Sequence, residues 1–141
     1  MQKRLMRIDL GTKRVGVALT DPLNIITQPY TTINFVNKEQ LANEINVIIK
    51  DKNVGTIIFG IPKTLSDKDS QKTTETRELI EKLRPILIQD IEIDFQDEAL
   101  TTTETHEIMR QMGKKPSKNK ELVDRIAAQL ILRDYKSRTG R

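Results

Sequence analysis

The sequence lacks several residue types that common functional sites need. It contains no cysteine, no tryptophan and a single histidine, His106. Without cysteine, the chain can form neither a disulfide framework nor a thiolate metal site. With one histidine, it offers no recognisable Ser–His–Asp arrangement. Aromatic residues make up 4% of the chain, which argues against a base-stacking platform for single-stranded nucleic acid.

Long apolar runs and strong net charge are also missing. No stretch of 18 apolar residues occurs and the N-terminus lacks a signal-peptide pattern, so we expect a soluble cytoplasmic protein with no membrane partner. The length of 141 residues favours a single domain over residues 1–141. The net charge is +4, and this mildly basic balance permits a polyanionic partner without requiring one.

Apolar periodicity predicts an α/β domain with a mixed sheet flanked by helices. Strands are expected at residues 5–8, 15–19, 31–35, 54–59 and 91–95, and helices at residues 38–52, 76–87, 101–112 and 121–135. Polar residues 63–74 show no apolar periodicity and are predicted to form a long mobile loop.

Helix-end signals support two of these boundaries. Thr101 and Glu104 have the spacing of a capping box, and Gly113 suits the position that follows a helix end. Pro85 is expected to bend or end the second helix.

Residues 9–16, DLGTKRVG, join the first two predicted strands. Gly11 and Gly16 suit a tight turn or bulge, and Asp9 ends the first strand on a rigid support. One interpretation is a hairpin whose aspartate accepts hydrogen bonds from its own turn amides. The other is a metal-binding carboxylate with Lys13 and Arg14 nearby for phosphate. The GxxxxG spacing lacks the Lys-Ser/Thr pair of a P-loop.

Two further acidic residues lie at positions that suggest a specific role for a carboxylate. Asp124 falls on the apolar arc of the last predicted helix, where a carboxylate is costly unless it is paired or binds a metal. A salt bridge to lysine or arginine is the structural alternative. Glu98 follows the end of a strand, as Asp9 does, and sites in such sheets gather at the carboxyl ends of strands.

Asp9, Glu98 and Asp124 are therefore predicted to converge. Oxygen ligands with open positions suit Mg²⁺ or Mn²⁺ rather than zinc. Two such ions about 3.5–4 Å apart can activate water and stabilise the leaving oxygen in phosphodiester hydrolysis. Asp97 and Thr12 are expected in supporting positions around these ligands.

Basic residues near this predicted centre are candidates for contacts with a nucleic-acid backbone. They are Lys13, Arg14, Lys114, Lys115, Lys118 and Lys120. Ordinary solvated charge is the alternative for each of them taken singly.

Taken in order, these segments resemble the YqgF/RuvX family of proposed pre-16S rRNA nucleases, which are related to Holliday-junction resolvases. The similarity covers essentially the whole chain. The matching segments are residues 8–18, Asp21-Pro22, Gly60-Ile61-Pro62, Asp97-Glu98 with Leu100-Thr101-Thr102, and Val123-Asp124 with Ala127-Ala128 and Ile131-Leu132. The resemblance implies an RNase H-like fold and a metal-dependent endonuclease that matures the 5′ end of pre-16S rRNA. It assigns catalytic roles to Asp9, Glu98 and Asp124.

Two departures from the family pattern affect this hypothesis. Ala99 stands where the family usually has an arginine after the second acid, which removes an expected phosphate or carboxylate partner. Residues 65–68 replace a usual Asp-Gly turn, which implies an altered loop beside the site.

Other functions stay open at this point. A Holliday-junction resolvase acting on branched DNA would use the same residues. A nucleotide-binding module is a further hypothesis, because residues 9–12 also resemble the phosphate-1 motif of actin-like ATPases. A non-catalytic adaptor that binds RNA or protein is another. The oligomeric state is open between a monomer and a weak homodimer.

Overall fold

The computed structural model describes residues 3–62 and 71–139. Within these ranges the described side chains exclude those of residues 98–102, 121, 124, 125, 128, 131, 132, 136, 138 and 139. The strands are β1 (Arg4–Leu10), β2 (Arg14–Thr20), β3 (Thr27–Asn34), β4 (Val54–Ile61) and β5 (Glu92–Asp97). The α-helices are α1 (Lys38–Lys52), α2 (Gln71–Leu83), α3 (Glu98–Gln111) and α4 (Lys120–Thr139), and a 3₁₀ turn spans Pro116–Lys118.

The strands form one mixed sheet in the order β3-β2-β1-β4-β5. Strands β1, β2 and β3 are antiparallel neighbours, whereas β4 lies parallel to both β1 and β5. The prediction of a mixed sheet with flanking helices is therefore confirmed. Because β1 is the central strand and β5 runs parallel to it, the carboxyl ends of both strands lie at the same edge of the sheet.

The two faces of the sheet are covered by different helices. On one face, Met6 and Ile8 are fully buried in a core that includes residues of α1 and α2. On the opposite face, Leu5 and Ile58 form a cluster with Tyr135 of α4, and the Tyr135 hydroxyl donates a 3.3 Å hydrogen bond to Thr56 Oγ1. We call this second side the α4 face. Helix α3 packs on α4.

Helix α1 has the predicted limits because both of its ends are capped. The Asn37 side chain accepts a 2.8 Å hydrogen bond from the Gln40 amide at the amino end. At the carboxyl end, Asn53 adopts the left-handed conformation with φ 54° and donates its N–H to the Ile49 carbonyl. Such caps satisfy backbone groups that a helix end leaves without a partner.

The predicted Gly113 cap is also confirmed. Gly113 has φ +75° and its N–H donates to the Arg110 carbonyl, while the Lys114 N–H donates to the Met109 carbonyl. This pair of bonds is a Schellman motif, in which glycine tolerates the left-handed backbone.

Two predicted helix starts are wrong. Helix α2 begins at Gln71, inside the segment predicted to be a mobile loop; residues 63–70 of that segment lie outside the described part. Its first buried positions are Thr73 and Thr76, and the Thr73 hydroxyl donates to the Pro62 carbonyl. Helix α3 begins at Glu98, so Thr101 lies within the helix and is not its N-cap.

Candidate active site

Asp9 is the penultimate residue of β1 and pairs with Gly16 of β2. The turn that follows is closed by a 3.0 Å hydrogen bond from the Gly11 amide to the Arg14 carbonyl. A Cβ atom at position 11 would lie 2.4 Å from that carbonyl oxygen, so only glycine fits there without a shift of the backbone. The sequence thus forms a tight turn beside a carboxylate that the sheet holds in place.

The two oxygens of the Asp9 carboxylate lie in different environments. Oδ2 lies 2.8 Å from Arg7 Nη1. Oδ1 is buried, and within the described part of the chain it has no hydrogen-bond partner. The interpretation in which Asp9 accepts hydrogen bonds from its own turn amides is therefore wrong. A buried oxygen without a donor is costly, and a bound cation would remove that cost.

Strand register places a glycine between Asp9 and β5 on the α4 face. Ile8 pairs with Phe59, and Phe59 pairs with Phe95, so the next row of residues is Asp9, Gly60 and Gln96. Gly60 has no side chain to separate the other two. Two strand spacings put β1 and β5 about 10 Å apart, a distance that two acidic side chains can bridge through a shared ion.

Glu98 is the first residue of α3 and directly follows β5, which ends at Asp97. No loop separates strand from helix, so the Glu98 backbone is fixed at the edge of the sheet where Asp9 also lies. The Glu98 side chain lies outside the described part.

Helix α4 packs on the α4 face of the sheet. Its carboxyl half is held at β4 by Tyr135, and at β5 by a 3.2 Å hydrogen bond from Gln96 Nε2 to Asp134 Oδ2. Helix α4 also contacts β3, and Asp124 is the fifth residue of this helix, which begins at Lys120. The Asp124 side chain, like that of Glu98, is outside the described part.

The expected supporting residues occupy different places. Asp97 pairs with Ile61, and strand alternation directs it to the face opposite Asp9. Thr12 is exposed in the β1–β2 turn. The supporting role of both residues stays a prediction.

The predicted basic residues are exposed in two segments. Lys13 and Arg14 lie in and just after the turn that follows Asp9, and the Lys13 carbonyl accepts a 2.9 Å hydrogen bond from the Phe35 amide. Lys114, Lys115, Lys118 and Lys120 line the connection between α3 and α4. That connection leads directly into the amino end of α4, and the charges are available to an anionic partner.

The described side chains alone contain no group of three potential metal ligands, and two of the three predicted acids are not among them. Among the described side chains, the observation that fits a bound metal is therefore the Asp9 carboxylate, because its buried Oδ1 has no hydrogen-bond donor in the described part of the chain. Three carboxylates offer only oxygen ligands, as Mg²⁺ and Mn²⁺ prefer.

Arg7 was missed by the reasoning from sequence. Strand alternation places residues i and i+2 on one face, and this rule already puts Arg7 beside Asp9. Asp21 has a structural role: its carboxylate accepts hydrogen bonds from the amides of Leu23, Ile25 and Ile26. The Ile26 bond is the largest influence that holds the pKa of Asp21 below its ordinary value.

No helix within the described ranges is both long and apolar enough to span a membrane. Comparison with known proteins identifies similar sequences over almost the whole chain. The family described as "RuvX: Holliday junction resolvase" matches residues 3–137. A protein of Roseiflexus sp. (strain RS-1), named "Putative pre-16S rRNA nuclease", is 34% identical over 132 residues, or 94% of this chain and 92% of the relative. A protein of the same name from Sulfurihydrogenibium sp. (strain YO3AOP1) is 35% identical over 135 residues, or 96% of this chain and 90% of the relative.

Solved structures give the fold. RuvC of Thermus thermophilus in complex with a Holliday junction substrate superposes with a TM-score of 0.52 at 10% identity, over 99% of this chain and 97% of RuvC. A second structure of Thermus thermophilus RuvC gives the same TM-score over 97% and 96% of the two chains. The fold is therefore RNase H-like, as expected.

Proposed function

Because the chain belongs to the RuvX family, we propose that it is a divalent-metal-dependent endonuclease that hydrolyses phosphodiester bonds. The proposed substrate is pre-16S rRNA, cleaved during 5′-end maturation, which would place the protein in the cytoplasm. The relatives' names support this choice of substrate, and the exposed basic residues suit a polyanionic partner.

One observation carries the proposal. The Asp9 carboxylate stands near the carboxyl end of the central strand with Oδ1 buried and no donor to it among the described residues. A carboxylate that served only the fold would have both oxygens paired with donors or in water. Asp9 has one oxygen without a donor in the described part of the protein, and this supports a role as a cation ligand.

Asp9, Glu98 and Asp124 would hold Mg²⁺ or Mn²⁺. When bound, these ions supply Lewis acidity, which lowers the pKa of a water molecule and stabilises the leaving oxygen. Asp9 is fixed on the sheet, Glu98 at the start of α3 and Asp124 on α4. In this proposal three carboxylates from three different elements would come together, and such preorganisation would position a phosphodiester for attack.

The exposed basic residues would bind the substrate backbone. Lys13 and Arg14 follow Asp9 in the chain, three of the four other lysines lie between α3 and α4, and Lys120 is the first residue of α4. Their contacts would be to phosphates and would not read sequence. The shape of the RNA and its strand junctions would then determine where the RNA is cleaved.

A cleavage assay tests this function. The full chain is incubated with precursor 16S rRNA and, separately, with a four-way DNA junction, each in Mg²⁺, Mn²⁺ or chelator. We expect cleavage of the rRNA precursor that requires metal and is lost in Asp9→Asn. Asp90→Asn is the matched control, because Asp90 is exposed in the turn before β5, at the opposite edge of the sheet.

The outcomes separate the alternatives. Cleavage of the junction alone would support a DNA resolvase. Binding without cleavage in any metal would support the adaptor, and saturable ATP binding would support the nucleotide-binding module. Cleavage by Asp9→Asn at the parental rate would reject the proposed centre.

A further inference from the structure

Arg7 lies inside the contact between the sheet and α4. It pairs with Ala18 of β2 and Ile58 of β4, and Ile58 belongs to the cluster that Tyr135 of α4 covers. Only 15% of the Arg7 side chain is exposed. A guanidinium in such a place is costly to desolvate unless an acid accompanies it, so its neighbours are informative.

One such neighbour is Asp9, through the 2.8 Å contact between Arg7 Nη1 and Asp9 Oδ2. The contact takes one carboxylate oxygen and leaves Oδ1, which is buried and has no donor in the described part of the chain. A charged hydrogen bond restrains the rotation of the carboxylate. The same arginine places a positive charge within a few ångströms of any cation that Oδ1 would bind.

We propose that Arg7 positions the Asp9 carboxylate and supplies the positive charge beside it when no metal is bound. Without a divalent metal it neutralises Asp9; with metal present it holds Oδ2 and leaves Oδ1 available to the ion. The inference rests on the proposed metal-dependent function. Its consequence is that Arg7 weakens metal binding, since like charges repel across a partly buried site.

The test compares Arg7→Met with Arg4→Met in the full-length protein. Both variants remove one positive charge from β1, but Arg4 is at the other end of the strand and lines a separate cavity of about 320 Å³ with Lys52 and Tyr30. Mn²⁺ affinity is measured by isothermal titration calorimetry, and thermal melts are recorded in chelator and in Mn²⁺. Neither measurement depends on cleavage.

We expect Arg7→Met to bind Mn²⁺ about tenfold more tightly than the parent. The variant loses the repulsion between the ion and a unit positive charge about 5 Å away, and this gain exceeds the entropic cost of restraining the released Asp9 carboxylate when the ion binds. The variant should melt below the parent in chelator and gain more from Mn²⁺. Arg4→Met should bind Mn²⁺ as the parent does, and Arg7→Lys, which keeps the charge, should stay within about twofold of the parent.

Other outcomes distinguish this role of Arg7 from a purely structural one. Parental or weaker Mn²⁺ affinity in Arg7→Met would show that the arginine only supports the fold. If Arg7→Met is unfolded in chelator, refolding on addition of Mn²⁺ supports the proposal, and failure to refold overturns it. If the parent itself binds no Mn²⁺, the metal-dependent function fails together with this inference, whereas parental binding with no effect of Arg7→Met rejects the inference alone.

Discussion

Replacing Asp9 with asparagine should affect stability and activity through different contacts. In the metal-free protein the substitution removes the acid that faces Arg7 at 2.8 Å. Loss of one partner of a fully buried pair costs about 3–5 kcal/mol. Asp9 is 39% exposed and Arg7 15% exposed, so water offsets part of this cost and we expect a loss of about 1–2 kcal/mol.

For a domain of this size, that loss corresponds to a decrease in melting temperature of about 3–6 °C. Activity should decrease at least about a hundredfold, because a metal-binding carboxylate contributes several kcal/mol to transition-state stabilisation. The overall fold and the affinity for nucleic acid should be largely retained, since Asp9 packs no core and the exposed basic residues are unchanged.

Circular dichroism melts of the parent, Asp9→Asn and the control Asp90→Asn, each in chelator and in millimolar Mn²⁺, check the stability terms. Mn²⁺ should stabilise the parent and the control but not Asp9→Asn. An Asp9→Asn melting temperature equal to or above that of the parent in chelator would refute the ion-pair reasoning. Parental stabilisation of this variant by Mn²⁺ would refute Asp9 as a metal ligand.

Other substitutions test separate parts of the site. Asp124→Asn should remove most of the Mn²⁺ stabilisation and, by relieving repulsion between carboxylates, raise the melting temperature in chelator; a decrease there would instead indicate a salt bridge at Asp124. Alanine at all four lysines of the α3–α4 connection should lower the slope of log K against log salt by about 0.7–0.9 per true phosphate contact, and an unchanged slope would mean solvated charge. Ala99→Arg should raise activity or substrate affinity because an arginine can hold a phosphate bidentately, and more so in Arg7→Met than in the parent if Arg7 already provides that charge. Asp21→Ala should lower the melting temperature at neutral pH but not well below pH 3.8, the ordinary pKa of this carboxyl, because a depressed folded-state pKa stabilises the protein only above that range; equal losses at both pH values would contradict this.

Local sequence signals predicted the elements wherever a single physical cause dominates. Helix α1 could be delimited because its apolar spacing is regular and asparagines cap both of its ends. The Gly113 cap was predictable because few other residues adopt its backbone conformation. Strand β4 was recognisable as a run buried on both faces, although the structure extends it to Ile61.

Tertiary structure determined the helix starts that the sequence did not predict. The first two turns of α2 bury Thr73 and Thr76, so an apolar pattern was absent there even though the face is buried. The capping-box spacing at Thr101 was misleading because β5 passes directly into α3 at Glu98. A strand that continues into a helix needs no side-chain signal at the junction.

The candidate site was predictable in part for a similar reason. Acids near the ends of parallel strands point to one edge of a sheet, and this rule led to Asp9 and Glu98 before the topology was known. The contact between Arg7 and Asp9 depends on which strands flank β1 and on the helix that covers that face. Those are long-range features, and residue types alone do not specify them.

The order in which the sheet is connected has a consequence for how the protein matures. Strands β1 to β3 pair with their neighbours in sequence, within Arg4–Asn34, so this meander can form early and with little loop-closure entropy. Helix α4 makes contacts that are distant in sequence: Tyr135 bonds to Thr56, 79 residues away, and shares a cluster with Leu5. During synthesis from the amino end, Asp9 would therefore be held on its strand long before Asp124 could dock. We expect nascent or truncated chains that lack α4 to be unable to cleave nucleic acid, so that hydrolysis begins only when the last helix is in place.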